Sequence, residues 1–173
     1  MASIIVRLAT KHDTESLLKI PQYSKCEVVF PLKEEILAAE RDGKVLGAVS
    51  VDLKDITHIS GEWKESYERH LNTKMETVSG CWVSKLYVFP EHRRKGIGTK
   101  LVKEAVEYLK EKGFTKAYAG IYIKNRFRKT SQRIFEKNGF KQFGSCICFL
   151  SEGYCRGTLL KKIIKSSETE VIK

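Results

Sequence analysis

Residues 86–101 read LYVFPEHRRKGIGTKL and place a basic loop with two glycines between an apolar run and a helical pattern. The apolar run, residues 81–89, predicts a strand that ends at Pro90. Beyond the loop, apolar residues recur at helical spacing and predict a helix that ends near Gly113: Leu101, Val102, Ala105, Val106 and Leu109. The segment is therefore interpreted as a strand, a loop and a helix.

The composition of this loop favours the binding of an anion. Gly96 and Gly98 let a ligand approach the backbone closely, and the N–H groups of the first helical turn have no partner inside the helix. Phosphate and pyrophosphate groups bind at such helix starts, and Arg93, Arg94 and Lys95 would add charge-assisted contacts. A basic surface turn without a ligand is the alternative interpretation. Two other nucleotide-binding motifs do not fit, since a Rossmann fingerprint needs glycine at position 101 and a P-loop needs it at position 93.

Two motifs of the chain resemble those of the GNAT superfamily of N-acetyltransferases. Residues 93–98, RRKGIG, match its signature R/Q-x-x-G-x-G/A. Residues 134–140, IFEKNGF, look like its second motif, Y-x-x-x-G-F, with Phe135 at the tyrosine position. The resemblance implies a mixed α/β domain with a central, mostly antiparallel sheet of about seven strands flanked by helices. It also implies that acetyl-coenzyme A (acetyl-CoA) is the co-substrate, and that its acetyl group passes to a primary amine by direct attack in a ternary complex.

The resemblance further implies which residues would bind the cofactor. The strand before the loop would separate from its neighbour and pair with the pantetheine amides, and the loop amides would hold the pyrophosphate. Ser131 and Phe135 would flank the thioester, and the usual asparagine of the family falls at Arg128, with Asn125 three residues earlier. Residues 126–129, RFRK, would either hold the adenosine phosphate or coat the surface. The full set is Leu86, Tyr87, Val88, Arg93, Arg94, Lys95, Gly96, Ile97, Gly98, Thr99, Asn125, Arg128, Ser131 and Phe135.

The sequence does not assign a catalytic acid or base. Attack on a thioester needs a neutral amine, although an alkylamine has a pKa of about 10.4, and the departing thiolate needs a proton. The family commonly takes that proton from the tyrosine that is Phe135 here. Candidates for a replacement acid are Tyr87, Tyr122 and Tyr154, each with aromatic packing in a strand as the alternative. Residues 81–88 contain no carboxylate, so the candidate bases lie elsewhere: Glu40, His58, Glu62, Glu65, Glu68, His70 and Glu76.

The rest of the chain fits one domain over residues 1–165, with a frayed basic and polar tail over 166–173. Residues 22–34 stay undecided between helix and loop, and the long connection 54–80 is typical of a functional segment. Asp42-Gly43 predicts the turn of a hairpin. The predicted elements are strand 4–8, helix 15–20 capped by Thr10 or Asp13, strands 35–40 and 44–53, strand 116–123, helix 130–137, and the hairpin strands 140–150 and 154–163.

The amino-acid composition limits which kinds of binding site and which cellular location we expect. The 173 residues carry a formal net charge of +11 and contain five cysteines without a C-x-x-C pair, so neither a disulfide framework nor a metal site is indicated. No apolar stretch approaches the roughly 18–20 residues that span a bilayer, and we expect a cytoplasmic protein without a membrane partner.

The positive charge favours an anionic partner. We favour acetyl-CoA over nucleic acid as this anionic partner, because the basic residues are spread along the chain. The same charge disfavours polyamines as acceptors and favours amines on acidic peptides or phosphorylated small molecules. A homodimer stays open. Two other functions also stay open, a non-catalytic sensor of acyl-CoA and a nucleic-acid-associated protein.

Overall fold

A computed structural model describes residues 3–21, 35–53, 81–122, 126–150 and 153–164. The helices are α1 (Thr14–Leu18), α2 (Ile97–Glu111) and α3 (Arg128–Lys137), and 3-10 turns occur at Lys11–Asp13 and Pro90–His92. The strands are β1 (Ile5–Leu8), β2 (Glu35–Arg41), β3 (Lys44–Asp52), β4 (Cys81–Val88), β5 (Lys116–Tyr122), β6 (Lys141–Leu150) and β7 (Gly153–Ile163).

The described strands form one sheet in the order β1-β2-β3-β4-β5-β7-β6. Neighbouring strands are antiparallel except β4 and β5, which run parallel because α2 forms the crossover between them. This arrangement confirms the mixed, mostly antiparallel sheet of seven strands that the resemblance implied.

Local sequence signals account for several element boundaries. Asp42 and Gly43 both have positive φ, 53° and 73°, as a two-residue hairpin turn of type I′ requires, and the predicted hairpin is confirmed. Helix α1 is shorter than predicted, since Pro21 disfavours helical backbone at the residue before it. The backbone N–H of Thr10 donates to Asp13 Oδ2 at 2.7 Å and fixes the turn that leads into α1.

Three regions discussed from the sequence lie outside the described residues: the undecided segment 22–34, the connection 54–80 and the tail 166–173. Within the part of the chain that is described, no helix is both long enough and apolar enough to cross a membrane.

Helices cover both faces of the sheet. The predicted apolar face of α2 is buried, with Leu101, Val102 and Leu109 all at 0% exposure, and it packs with Phe135 of α3 in the main core. Burial of one such side chain contributes about 1.5–3 kcal/mol. On the opposite face, Leu17 packs in a smaller cluster with Ile20, Ile36 and Ala48. The larger core therefore fixes α2, and with it the loop that precedes this helix.

Candidate functional site

The parallel strands β4 and β5 pair only at their beginnings. Their ladder consists of Cys81↔Ala117 and Trp82↔Tyr118. Beyond these pairs, β4 stays paired with β3 as far as Val88, and β5 stays paired with β7 as far as Tyr122. The two strands therefore separate while each keeps its outer neighbour. We call the gap between them the β4–β5 split.

A β-bulge lies in β4 where the split opens. Between the pairs Ser50↔Ser84 and Ala48↔Tyr87, β3 advances by two residues and β4 by three. Lys85 has the positive φ of 50° in this stretch. A bulge bends its strand and increases the local twist, so it turns the end of β4 away from β5. No local pattern in the sequence predicts this bulge, because a lysine within an apolar run also occurs in regular strands.

The backbone of β4 presents hydrogen-bonding groups to the split. The N–H of Phe89 donates to the carbonyl of Leu46 in β3 at 3.0 Å. In a trans peptide the preceding carbonyl points the opposite way, so the Val88 carbonyl faces the split. By the alternation of backbone groups beyond the bulge, the N–H of Tyr87 points to β3 as that of Phe89 does, so the Leu86 carbonyl also faces the split. Both residues belong to the set predicted to pair with a ligand.

The loop after β4 leads into the N-terminus of α2. Gly96 precedes the helix with φ +77°, and its carbonyl accepts from the N–H of Lys100 at 3.0 Å. A Cβ at Gly96 would meet no heavy atom within 4 Å, so glycine is favoured there by backbone conformation alone. The first N–H groups of α2 point out of the helix towards the loop, as an anion site requires.

Glycine is favoured at position 98 by packing and not by backbone conformation. A Cβ at this position would lie 3.0 Å from Ile134 Cδ1, so the absence of a side chain lets α2 pack closely against α3. The next residue, Thr99, accepts a hydrogen bond at its carbonyl from Asn138 Nδ2 at 3.2 Å. Ile97, between the glycines, is buried in the main core. The helix start is thus held against α3 by packing and by one hydrogen bond.

The three cations of the loop differ in their placement. Arg93 turns back towards β4, and its Nε donates to the Val88 carbonyl at 2.9 Å. Its guanidinium also lies over the rings of Tyr87 and Phe127, at 5.6 and 4.7 Å from the centroids. Arg94 is exposed with φ +61°, and the exposed Lys95 donates to the carbonyl of Glu91 at 3.0 Å. The sequence predicted three similar anion contacts, but Arg93 is also an anchor of the loop.

Helix α3 brings further predicted residues towards the loop. Its first residue, Arg128, donates from Nη2 to Thr158 Oγ1 of β7 at 3.4 Å, and Ser131 is half-buried in the first turn. Phe135 is buried at 4% exposure, edge-on to Phe140 with ring centroids 5.1 Å apart. Asn125 lies outside the described residues. The contact between Arg93 and Phe127, just before α3, joins the two halves of the candidate site.

Two of the candidate catalytic residues can be placed. Tyr87 is half-buried beside the loop and packs edge-on against Phe89, with centroids 5.5 Å apart. Glu40 lies on β2, with β3 between it and β4, and accepts from Arg7 Nε at 2.7 Å. The side chains of Tyr122 and Tyr154, and the candidate bases in segment 54–80, lie outside the described part of the structure. The geometry therefore brings Tyr87, and not Glu40, next to the loop.

Arg7 binds a second carboxylate, that of Asp13. Its Nη1 and Nη2 donate to the two carboxylate oxygens at 2.7 and 2.9 Å. The hydrogen bond from Arg7 holds the pKa of the Asp13 carboxyl below its ordinary value, although burial of the group opposes this. Arg7, Asp13 and Glu40 thus tie β1, the following turn and β2 together. Among the described residues, no group of His, Cys, Asp and Glu side chains is suited to hold a metal ion.

Comparisons with solved structures agree with this architecture. An N-acetyltransferase from Staphylococcus aureus Mu50 is 19% identical with a TM-score of 0.64, over 95% of this chain and 100% of the other. The yncA protein from Salmonella typhimurium, whose structure includes its cofactor acetyl-CoA, is 19% identical with a TM-score of 0.65, over 95% and 96%. The ribosomal-protein-S18-alanine N-acetyltransferase from Escherichia coli is 11% identical with a TM-score of 0.63, over 99% and 100%. At these identities the likeness establishes the fold.

A family model gives the more specific result. A comparison with curated proteins found no match. The model of the Acetyltransferase (GNAT) family, however, matches residues 7–140, which include the end of β1, all of β2 to β5, the loop, α2 and α3. This match covers more than half of the chain and includes both motifs recognised in the sequence. The chain therefore belongs to the GNAT family of acetyltransferases.

Proposed function

We propose that this protein binds acetyl-CoA and transfers its acetyl group to a primary amine by direct attack in a ternary complex. The observation that carries the proposal is the β4–β5 split, which ends at the loop and at the N-terminus of α2. An extended backbone edge followed directly by a phosphate-binding helix start suits a ligand that has amides at one end and a pyrophosphate next to them. Acetyl-CoA has this arrangement.

The residues of the split fit the two parts of such a ligand. Leu86 presents its backbone C=O to the split, which suits a pantetheine amide. The N–H groups from Gly96 to Thr99 suit the pyrophosphate, helped by the partial positive charge of the helix N-terminus. The anchor formed by Arg93 keeps the loop in place between these two parts, because it joins the last residue of β4 to the beginning of α3.

The chemistry requires an amine acceptor in the neutral form and a proton for the leaving group. When bound, acetyl-CoA supplies a thioester whose carbonyl carbon is attacked by the amine and whose C–S bond then breaks. Tyr87 is half-buried beside the loop, and we propose its hydroxyl group as the proton donor. Residues 81–88 contain no carboxylate, so we propose that the acceptor amine loses its proton to water or to a group outside this strand.

The experiment is a transfer assay with purified protein, labelled acetyl-CoA and a panel of amines. The panel contains acidic peptides with a free N-terminus, phosphorylated small amines and polyamines, in order to test the preference inferred from the net charge of +11. We expect labelled product from at least one amine, with an equal amount of free thiol. Reactions without amine measure hydrolysis of the thioester. Failure to bind acetyl-CoA in a direct titration would contradict the proposal as a whole.

A second function, a sensor that binds acyl-CoA without turnover, is favoured by one observation. Phe135 occupies the tyrosine position of the second motif and is buried against Phe140 without a hydroxyl group. A sensor predicts normal cofactor binding with no transfer to any amine. For a sensor that lacks only the acid, Phe135→Tyr would create activity. For an enzyme that uses Tyr87, Tyr87→Phe lowers kcat and leaves the dissociation constant of acetyl-CoA almost unchanged.

A further inference from the structure

Two guanidinium groups flank one exposed phenyl ring where the loop meets α3, and two more cations follow the ring in the sequence. Phe127 keeps 40% of its surface exposed, and the Arg93 and Arg126 guanidinium groups lie 4.7 and 4.8 Å from its ring centroid. These distances are typical of favourable cation–π contacts. Arg128 and Lys129 follow the ring directly in the sequence. We call Arg93, Arg126, Arg128 and Lys129 the cation cluster.

The charges of the cation cluster are not neutralised by neighbouring carboxylates. Over the described ranges, the ion pairs involve Arg7, Lys19 and His92, and none includes a member of the cluster. Because Arg93 and Arg126 contact the same ring, they lie within about one Debye length of each other, about 10 Å at 0.1 M salt. Their repulsion is therefore only partly screened, and an anion bound there would relieve it.

The members of the cluster differ in how many donors they have left. Arg93 donates from Nε to Val88, and Arg128 donates from Nη2 to Thr158. Arg126 and Lys129 are exposed and make no hydrogen bond with the rest of the described chain. All N–H donors of the Arg126 guanidinium are therefore available for bidentate binding of a phosphate, and the group is already oriented by its contact with the Phe127 ring. It is the member best suited to direct recognition, with Lys129 as the second.

The position of the cluster indicates which phosphate it fits. We propose that Arg126 and Lys129 bind the 3′-phosphate on the adenosine of coenzyme A, so that the protein distinguishes this cofactor from its 3′-dephospho form. The proposal rests on the proposed function, in which the neighbouring helix start holds the pyrophosphate. A phosphomonoester carries about −1.5 to −2 charges at pH 7, more than either phosphate of the pyrophosphate diester. The unpaired cations beside the loop match this charge.

The test measures binding and needs no acceptor amine. Isothermal titration gives the dissociation constants of coenzyme A and of 3′-dephospho-coenzyme A for the wild type and for Arg126→Gln, Lys129→Gln and the double variant. We expect the wild type to bind coenzyme A at least about tenfold more tightly than the dephospho form, since hydrogen bonds between charged groups are stronger than those between neutral groups. The double variant should bring this ratio close to one without changing the affinity for the dephospho form.

Arg133→Gln is the matched control. Arg133 lies on the same helix, is exposed, and loses the same charge in the same substitution, but it lies beyond the cluster. A control that weakens coenzyme A binding as much as Arg126→Gln does would show a diffuse electrostatic effect and overturn the proposal. Equal affinity of the wild type for both ligands would also overturn it, while leaving the proposed function intact. If neither ligand binds, the proposed function fails and this inference fails with it.

Discussion

Arg93 and Val88 are joined by a hydrogen bond of 2.9 Å between the guanidinium Nε and the carbonyl oxygen at the end of β4. The bond uses a carbonyl that faces the β4–β5 split, and the same guanidinium reaches Phe127 before α3. One side chain therefore joins the strand, the loop and the second helix of the site. A loop with two glycines needs such an anchor, because glycine loses more backbone freedom on folding than other residues do.

The first prediction concerns this anchor. Arg93→Ala should lower the free energy of unfolding by about 1 kcal/mol, through loss of the hydrogen bond, and should weaken acetyl-CoA binding several-fold. Arg93→Lys should recover little of either loss, because lysine keeps the charge but lacks the planar group that donates from Nε and stacks on the ring. Urea unfolding and titration with acetyl-CoA measure both effects. Lys103→Ala, on the exposed face of α2, is the control. Full recovery in Arg93→Lys would show that charge alone matters.

Gly96 provides the second prediction. Gly96→Ala should destabilise the protein by about 1–2 kcal/mol, because a Cβ disfavours φ +77° although it meets no neighbouring atom. It should also weaken acetyl-CoA binding, since relief of the strain moves the N–H groups of the first turn of α2. Gly113→Ala is matched in backbone conformation, with φ +83° and open space, but lies at the other end of α2. We expect it to cost similar stability and leave cofactor binding unchanged. A similar loss of affinity in both variants would contradict the role given to Gly96.

The contact between Gly98 and Ile134 provides the third prediction. Gly98→Val should destabilise the protein by about 1–3 kcal/mol, because its Cβ would lie 3.0 Å from Ile134 Cδ1 and its two methyl groups add volume at this close contact. Ile134→Ala should itself destabilise by removing a packed side chain, yet the double variant should be more stable than the sum of the two single effects predicts. Urea unfolding of the four proteins gives this coupling. Strict additivity would mean that the two residues do not compete for space.

The fourth prediction concerns pH and the ion pair of Arg7 with Asp13. Because the folded-state pKa of Asp13 is lowered, the pair stabilises the fold above the unfolded pKa of about 3.9 and loses its effect as the pH falls below that value. At pH 7, Asp13→Asn should lower the free energy of unfolding by about 1–3 kcal/mol, and the difference from the wild type should shrink below pH 4. Urea unfolding at both pH values measures this change. Glu15→Gln, at an exposed pair with Lys19, should have no measurable effect. A difference that persists unchanged at pH 3 would contradict the assignment.

Much of the fold was predictable because its signals are local. The helical spacing from Leu101 to Leu109, the turn residues Asp42-Gly43 and the strand before Pro90 all depend on neighbours within a few positions. Both motifs recognised in the sequence lie within the span of the matched family model, residues 7–140. The helix boundaries at α1 and at the start of α3 differ from the predicted ones by about one turn or less, and several strand ends differ by one residue.

Residues 86–101 contain both features that local sequence determines and features that depend on the tertiary structure. By itself the sequence determined that a strand, a loop with glycine at position 96 and a helix follow one another, since these depend on backbone conformation and local apolar spacing. Only the tertiary structure decided that Lys85 lies in a bulge where β4 separates from β5, and that Arg93 turns back to Val88 and Phe127. It also decided that a side chain at position 98 would contact Ile134 too closely. The tertiary structure also decided that the Glu40 carboxylate accepts a hydrogen bond from Arg7. Strand register and helix packing bring distant residues together, and no local pattern in the sequence records which of them will meet.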